Sequence, residues 1–156
     1  PYGVESMGVL RLEKGHFVLG RDADGRTTPH DIGLGRMVST KKWFVGREAL
    51  DLPAMKDPRR RQLVGVKPVN SKESVPYSAM LADPDDPDRV GGAQGWISSL
   101  AYSPTLGHFI GLALVEGGFG RMGERLLAHA PIAGRRALVE IVSPHFFDPE
   151  GKRQNA

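Results

Sequence analysis

Two hydrophobic rhythms divide the chain. In residues 3–13 (GVESMGVLRLE), Val4, Met7, Leu10 and Leu12 recur at near-helical spacing, which predicts a helix with Gly15 as its left-handed stop. From 16 to 35 turn signals replace that rhythm. Asp24-Gly25 marks a tight turn, and Thr28-Pro29 predicts a short helix over 29–34, capped by Thr28 and ended by Gly35. Met37-Val38 begins a short apolar run, and a second short helix is expected from about Gly46 to Leu50. Residues 51–61 carry Pro53, Pro58 and Arg59-Arg60-Arg61, keep no period and read as a linker. Beyond Arg61 the period shortens. Segments 62–67, 78–81, 94–102, 109–115, 125–129 and 137–142 read as strands, separated by an acidic proline turn (DPDDPDRVGG), the turn SPTLG and a glycine turn. The fold class expected is α+β: a helix- and turn-rich N-terminal segment, then a small antiparallel β-barrel of about six strands. The barrel should occupy 62–145, with 1–50 outside it and the tail after Pro149 frayed. The division falls into domains 1–61 and 62–156.

Composition sharpens this picture. The 156 residues are 40% hydrophobic and 25% charged, ordinary for a folded globular chain. Twenty Gly and twelve Pro favour many turns over long helices. There is no cysteine, which excludes disulfide scaffolds, cysteine nucleophiles, cysteine zinc sites and iron–sulfur clusters, and fits a reducing compartment, with the cytoplasm as the expected location. No run of about 18 apolar residues is present, so no membrane span is expected. The chain opens on Pro1 and not on Met, with no signal peptide, and reads as a fragment of a longer polypeptide. The net charge of +3 is too small to indicate a nucleic-acid partner.

Candidate chemistry is sparse. Gly33-Leu34-Gly35 and Gly117-Gly118-Phe119-Gly120 lack the strand–helix setting of a dinucleotide loop and the lysine of a phosphate loop, so both read as turns. The histidines at 16, 30, 108, 129 and 145 have no metal-ligand spacing, and His30-Asp31 reads as a surface loop. There is no GxSxG elbow for a nucleophilic serine. Arg59-Arg60-Arg61 has no interleaved aromatics and reads as solvated linker. Lys41-Lys42-Trp43 sets two cations beside a ring, suited to a phosphate or a carboxylate, although an exposed strand end is the plainer reading.

Three blocks taken in order go further. They are Leu10-Arg11-Leu12-Glu13-Lys14-Gly15; Thr27-Thr28-Pro29 with Gly33-Leu34-Gly35 and Phe44-Val45-Gly46-Arg47-Glu48-Ala49-Leu50; and Gly95-Trp96-Ile97-Ser98-Ser99 with Ser103-Pro104-Thr105-Leu106-Gly107 and Ile110–Val115. Together they resemble the folate-dependent aminomethyltransferase family, typified by the glycine cleavage system T protein. Glu13–Phe17, Asp24–Asp31, Ser39–Lys42 and Phe146–Gly151 are similar to one branch, the alpha subunits of heterotetrameric sarcosine oxidases.

The resemblance implies a function. In that branch sarcosine is oxidised at a flavin in the beta subunit. The imine reaches tetrahydrofolate in the alpha module, and 5,10-methylenetetrahydrofolate forms. FAD, FMN and NAD belong to the whole enzyme and are not expected in this stretch. The partners implied are the other sarcosine oxidase subunits and the rest of the same subunit, with no nucleic acid and no membrane. A dimethylglycine oxidase, a glycine cleavage T protein and a non-catalytic docking module are the alternatives. Residues 1–61 would then be the end of the folate-binding domain. Two departures bear on the site. Ser6-Met7-Gly8 stand where the T protein reads Ala-Arg-Asp, so its folate-contacting arginine is absent. The family's catalytic aspartate and pterin-reading glutamate lie upstream of the LRLE motif, so no catalytic residue is expected in this chain. Arg11 and Glu13 are the candidate cofactor-binding residues, for a folate pocket. They are equally readable as structural caps of the helix end.

Overall fold

The computed structural model describes residues 2–154. Helix α1 spans Val4–Glu13, and α2 is the single turn Arg47–Leu50. Six strands follow: β1 (Arg61–Pro68), β2 (Met80–Ala82), β3 (Gly95–Ser103), β4 (His108–Glu116), β5 (Arg125–Ala130) and β6 (Arg135–Val142). All pairs are antiparallel, and the order β1-β4-β3-β2-β5-β6 closes on itself as a barrel through β6 and β1. Closure leaves no free sheet edge.

Strand alternation sorts the side chains onto two faces. Val64 and Val66 of β1, Ile97 of β3, Ala113 and Val115 of β4, and Val139 and Ile141 of β6 share the interior core. The alternate residues Leu63, Ile110, Leu112 and Leu114 form a second core on the outer face with Leu12, against which Phe17, Ile32 and Phe146 pack. This is why IGLALV reads as a continuous apolar run: β4 is buried on both sides, inside by the barrel and outside by the N-terminal and C-terminal segments.

Helix α1 ends as its sequence dictates. Gly15 adopts φ +74°, His16 N–H donates to Arg11 O at 2.8 Å and Gly15 N–H donates to Leu12 O at 3.0 Å, the two bonds of a left-handed helix stop. A Cβ on Gly15 would stand 2.5 Å from Pro144 O, so this corner admits glycine alone where the C-terminal segment crosses it.

The apolar stripe of α1 is largely exposed, with Val4, Met7 and Leu10 at 80%, 51% and 53%, and Leu12 and Glu13 are the buried pair. Helical spacing shows that a face exists and not what it meets. Several expectations are corrected. Residues 29–34 form a turn instead of a helix. Thr28 and Asp31 cap one another across it, Thr28 N–H donating to Asp31 Oδ2 at 2.8 Å and Asp31 N–H to Thr28 Oγ1 at 3.3 Å, and Gly35 opens a 3₁₀ turn, Gly35–Met37. The segment 78–81 shrinks to Met80–Ala82 because Ser78 takes φ 52°, outside strand geometry. The tail is ordered through Gln154: Lys152 N–H donates to Asp148 Oδ1 at 2.9 Å and opens a 3₁₀ turn, Lys152–Gln154. The expectation for 155–156 lies outside the described residues.

Candidate functional site

The buried polar groups gather on the outer face of the barrel, where α1 meets β3. The strand supplies two adjacent serines. Register shifts between Ile97 and Ser99, so Ser98 is an extra residue in a β-bulge. Consecutive side chains of a regular strand point to opposite faces, but the bulge lets Ser98 and Ser99 turn toward the same group. That group is Asp22, which has no solvent exposure. Its Oδ1 accepts from Ser98 Oγ at 2.6 Å and Ser99 Oγ at 2.5 Å. Its Oδ2 accepts from Val18 N–H at 2.8 Å and Arg11 Nη1 at 2.8 Å.

Arg11 is the cation of this cluster. Its guanidinium also donates to Ser99 Oγ at 2.7 Å and to His16 O at 3.0 Å, and its side chain is 14% exposed. Glu13, two positions along, turns elsewhere on the same outer face. Its Oε1 accepts from Ser103 Oγ at 2.6 Å, and that hydroxyl accepts from Leu106 N–H at 3.1 Å, tying the helix end to the β3–β4 turn. The carbonyl of Glu13 accepts from Phe146 and Phe147 N–H at 3.0 and 2.8 Å, and Lys14 Nζ donates to Asp148 O at 2.7 Å. The two candidate residues therefore lie in two separate bonded clusters, and the polar groups described for each are engaged within the protein. Asp22, Ser98 and Ser99 were not singled out as site residues. The signal was Ser-Ser within an otherwise alternating strand, which marks a bulge.

A third buried acid, Asp31, lies beside β1, where its carbonyl accepts from Leu63 N–H at 2.7 Å. Asp31 accepts from Arg60 Nη2 at 2.7 Å and Nε at 3.1 Å, and Arg60 Nη2 also reaches Arg26 O at 2.7 Å. Burial pushes the Asp31 carboxyl up, but the Arg60 bonds and the Thr28 amide and hydroxyl outweigh it and hold the group below its ordinary value. The same pair raises the Arg60 guanidinium further. The arginine run is thus solvated at Arg59 and Arg61, which are exposed, but not at Arg60. Arg60 pairs with a buried acid, Arg59 pairs with Asp57, whose carboxyl it lowers to about 2, and Arg61 pairs with Glu116 and lies 4.9 Å from the Trp96 ring centre. His30-Asp31 is likewise no surface loop at its acid, since Asp31 is buried.

Two clefts open beside these clusters. One of about 880 Å³ runs between the N-terminal segment and the barrel, walled by Phe17, Ile32, Leu63, Phe119, Met122 and Ile141. The other, of about 690 Å³, is more polar and is lined in part by Asp31, Phe44, Arg47, Lys56 and Arg60. Among the described residues, no three His, Asp or Glu side chains converge as a metal site, and no helix is long and apolar enough to cross a membrane. The serine hydroxyls of this face bond to buried carboxylates that are themselves engaged with the helix, Ser98 and Ser99 to Asp22 and Ser103 to Glu13. The arrangement is suited to fixing the angle between α1 and the barrel.

Comparisons with known proteins agree with this architecture. The family model described as glycine cleavage T-protein C-terminal barrel domain matches residues 61–148, and that described as GCVT N-terminal domain matches residues 1–42. The sarcosine oxidase subunit alpha of Rhizobium meliloti is 38% identical over 154 residues, 98% of this chain and 16% of that subunit. That of Corynebacterium sp. (strain U-96) is 39% identical over 99% of this chain and 16% of its own length. The aminomethyltransferase of Thermotoga neapolitana is 31% identical over 99% of this chain and 39% of its own. The crystal structure of glycine cleavage system aminomethyltransferase T from Bartonella henselae shares the fold, with a TM-score of 0.77 at 24% identity over 94% of this chain and 39% of that one. The chain spans about a sixth of the sarcosine oxidase subunits it matches. With the barrel, its outer helix and the matching family model in agreement, the chain belongs to the glycine cleavage T-protein family and carries that family's C-terminal barrel domain.

Proposed function

We propose that this chain is the C-terminal part of a sarcosine oxidase alpha subunit. The whole enzyme would demethylate sarcosine oxidatively to glycine and pass the one-carbon unit to tetrahydrofolate. The observation that carries this reading is the identity of 38–39% to sarcosine oxidase alpha subunits over 98–99% of the chain, against 30–33% to aminomethyltransferases. Met7 in place of the T protein's folate-contacting arginine favours the same branch.

Tetrahydrofolate would supply the nitrogens that accept the one-carbon unit. The residues present do not fit it as anchors: Met7 is apolar, and the polar ends of Arg11 and Glu13 are bonded within the protein. FAD, FMN and NAD would belong to other parts of the whole enzyme. In this reading Arg11 and Glu13 serve the folate pocket as positioning groups. Arg11, through Asp22 and the serine bulge, and Glu13, through Ser103, hold α1 against β3, and the exposed face of α1 is left as wall. Residues 1–61 end the folate-binding domain and 62–156 form the barrel domain, in a cytoplasmic complex with the other subunits. The chain alone turns over neither sarcosine nor its imine.

The experiment is to express the complete reading frame together with its co-encoded subunits and to follow sarcosine oxidation with tetrahydrofolate present. Sarcosine-dependent formation of 5,10-methylenetetrahydrofolate supports the reading. Aminomethyl transfer without any sarcosine oxidation would overturn it in favour of a T protein.

A further inference from the structure

The segment at the end of the N-terminal family match, running on into the stretch before the barrel, carries a feature that the folate reading does not use. We propose that the turn around Lys41-Lys42-Trp43 is a docking surface for a carboxylate-rich protein face with an apolar recess that receives the indole.

The turn is built by its own side chains. Ser39 Oγ accepts from Lys41 N–H at 3.2 Å and Lys42 N–H at 3.1 Å. From the far side the Arg47 guanidinium donates to Thr40 O at 2.9 Å and Lys42 O at 3.0 Å. With its backbone tied at both ends, the segment turns Phe44 and Arg47 toward the polar cleft and leaves Trp43 and Val45 outside, 72% and 88% exposed, with Met37 at 78%. A held backbone lowers the ordering cost that a flexible loop would meet on binding.

Charge identifies the partner. From Arg36 to Arg47 there are four cations and no carboxylate. Among the described residues, no acid lies within ion-pair distance of Arg36, Lys41 or Lys42, whereas Arg59, Arg60 and Arg61 are all paired. Single exposed apolar residues are ordinary. Three large ones among unneutralised cations match instead the aromatic anchor and charged rim of a protein interface. Neither lysine nor Trp43 lines either cleft, so the patch has no walls to enclose a small ligand. One indole without further interleaved aromatics is a poor stacking track for single-stranded nucleic acid. The turn also lacks the amphipathic helix of a membrane-surface binder.

The test titrates the 156-residue chain with a random glutamate–tyrosine copolymer, and in parallel with polyglutamate, polyuridylate and phosphatidylserine vesicles. The variants are Lys41→Glu with Lys42→Glu, and Trp43→Ala, all at exposed positions, with unchanged melting curves as the fold control. The copolymer should bind saturably and more weakly as salt rises, and each variant should lose about tenfold or more in affinity. Polyglutamate should bind more weakly than the copolymer and be indifferent to Trp43→Ala. Absence of saturable copolymer binding by the wild type, or binding by both variants as tight as the wild type's, overturns the proposal. Loss in the lysine variant alone leaves a nonspecific anion surface and overturns it too. So does tighter binding of polyuridylate or vesicles through the same residues, or a dimer of the chain that Trp43→Ala dissociates.

Discussion

Removing the Asp22 carboxylate tests the polar joint most severely. In Asp22→Ala the Arg11 guanidinium, 14% exposed, loses the charge partner it has among the described residues, and Ser98, Ser99 and the Val18 amide lose the carboxylate as acceptor. Breaking a buried ion pair from one side costs about 3–5 kcal/mol. The complementary change costs less. Arg11→Met keeps an apolar stem against the helix and leaves Asp22 its three neutral donors, so the loss is that of a charge-assisted hydrogen bond, about 1.5–3 kcal/mol. The double variant no longer contains a stranded charge, and the cycle should show a coupling of about 1–3 kcal/mol. Urea unfolding of the chain, followed by far-ultraviolet circular dichroism, gives all four values. Total stability of a domain is about 5–15 kcal/mol, so Asp22→Ala takes a large share of it. Should that variant not fold, Asp22→Asn closes the cycle with a smaller cost. A loss below about 1 kcal/mol for Asp22→Ala, or additivity within about 0.5 kcal/mol, would refute the joint.

Gly15→Ala should lower the melting temperature by several degrees. A left-handed alanine costs about 1–2 kcal/mol, and its Cβ would meet Pro144 O at 2.5 Å in a corner with no room to relax. Asp31→Asn should destabilise the chain at neutral pH by about 1.5–3 kcal/mol, the scale of a hydrogen bond to a charged group, read by thermal melting. The folded carboxyl sits below its ordinary 3.8, so its stabilisation is present above that value and is lost as pH falls through the folded value. The variant's acid-unfolding curve should therefore decline less steeply than the wild type's below about pH 4, and parallel curves would contradict the assignment.

The barrel was legible because its strands are short alternating or continuous apolar runs, and glycine or proline marks the turns between them. The double-sided burial of β4 was legible as a run of six apolar residues, although not what lay on each side. Long-range partners were not legible. Nothing near Arg60 shows that Asp31, twenty-nine positions earlier, will take its guanidinium, so three adjacent arginines look like solvent-facing linker. Nothing near Val4, Met7 and Leu10 distinguishes a face that meets the barrel from one that does not. The turn at 29–34 failed as a helix for a local reason that spacing hides: mutual capping by Thr28 and Asp31 satisfies the first amides at once, and Gly33, at φ +77°, stops further winding. Of the candidate site, Arg11 and Glu13 stand out only through the family resemblance. Asp22 is not legible, because an acid inside a turn-rich stretch carries no sign that it is fully buried.

The assignment to the sarcosine oxidase branch is tested most directly by exchange. The matching stretch of the Rhizobium meliloti alpha subunit can be replaced by this chain, and the same exchange made in the Thermotoga neapolitana aminomethyltransferase. The measurement is the product ratio of the purified sarcosine oxidase chimera, 5,10-methylenetetrahydrofolate against the free formaldehyde that imine hydrolysis releases. The account predicts a folded chimera that oxidises sarcosine and gives mainly methylenetetrahydrofolate, and a weaker aminomethyltransferase chimera. A sarcosine oxidase chimera that releases only formaldehyde, beside a fully active aminomethyltransferase chimera, would contradict it.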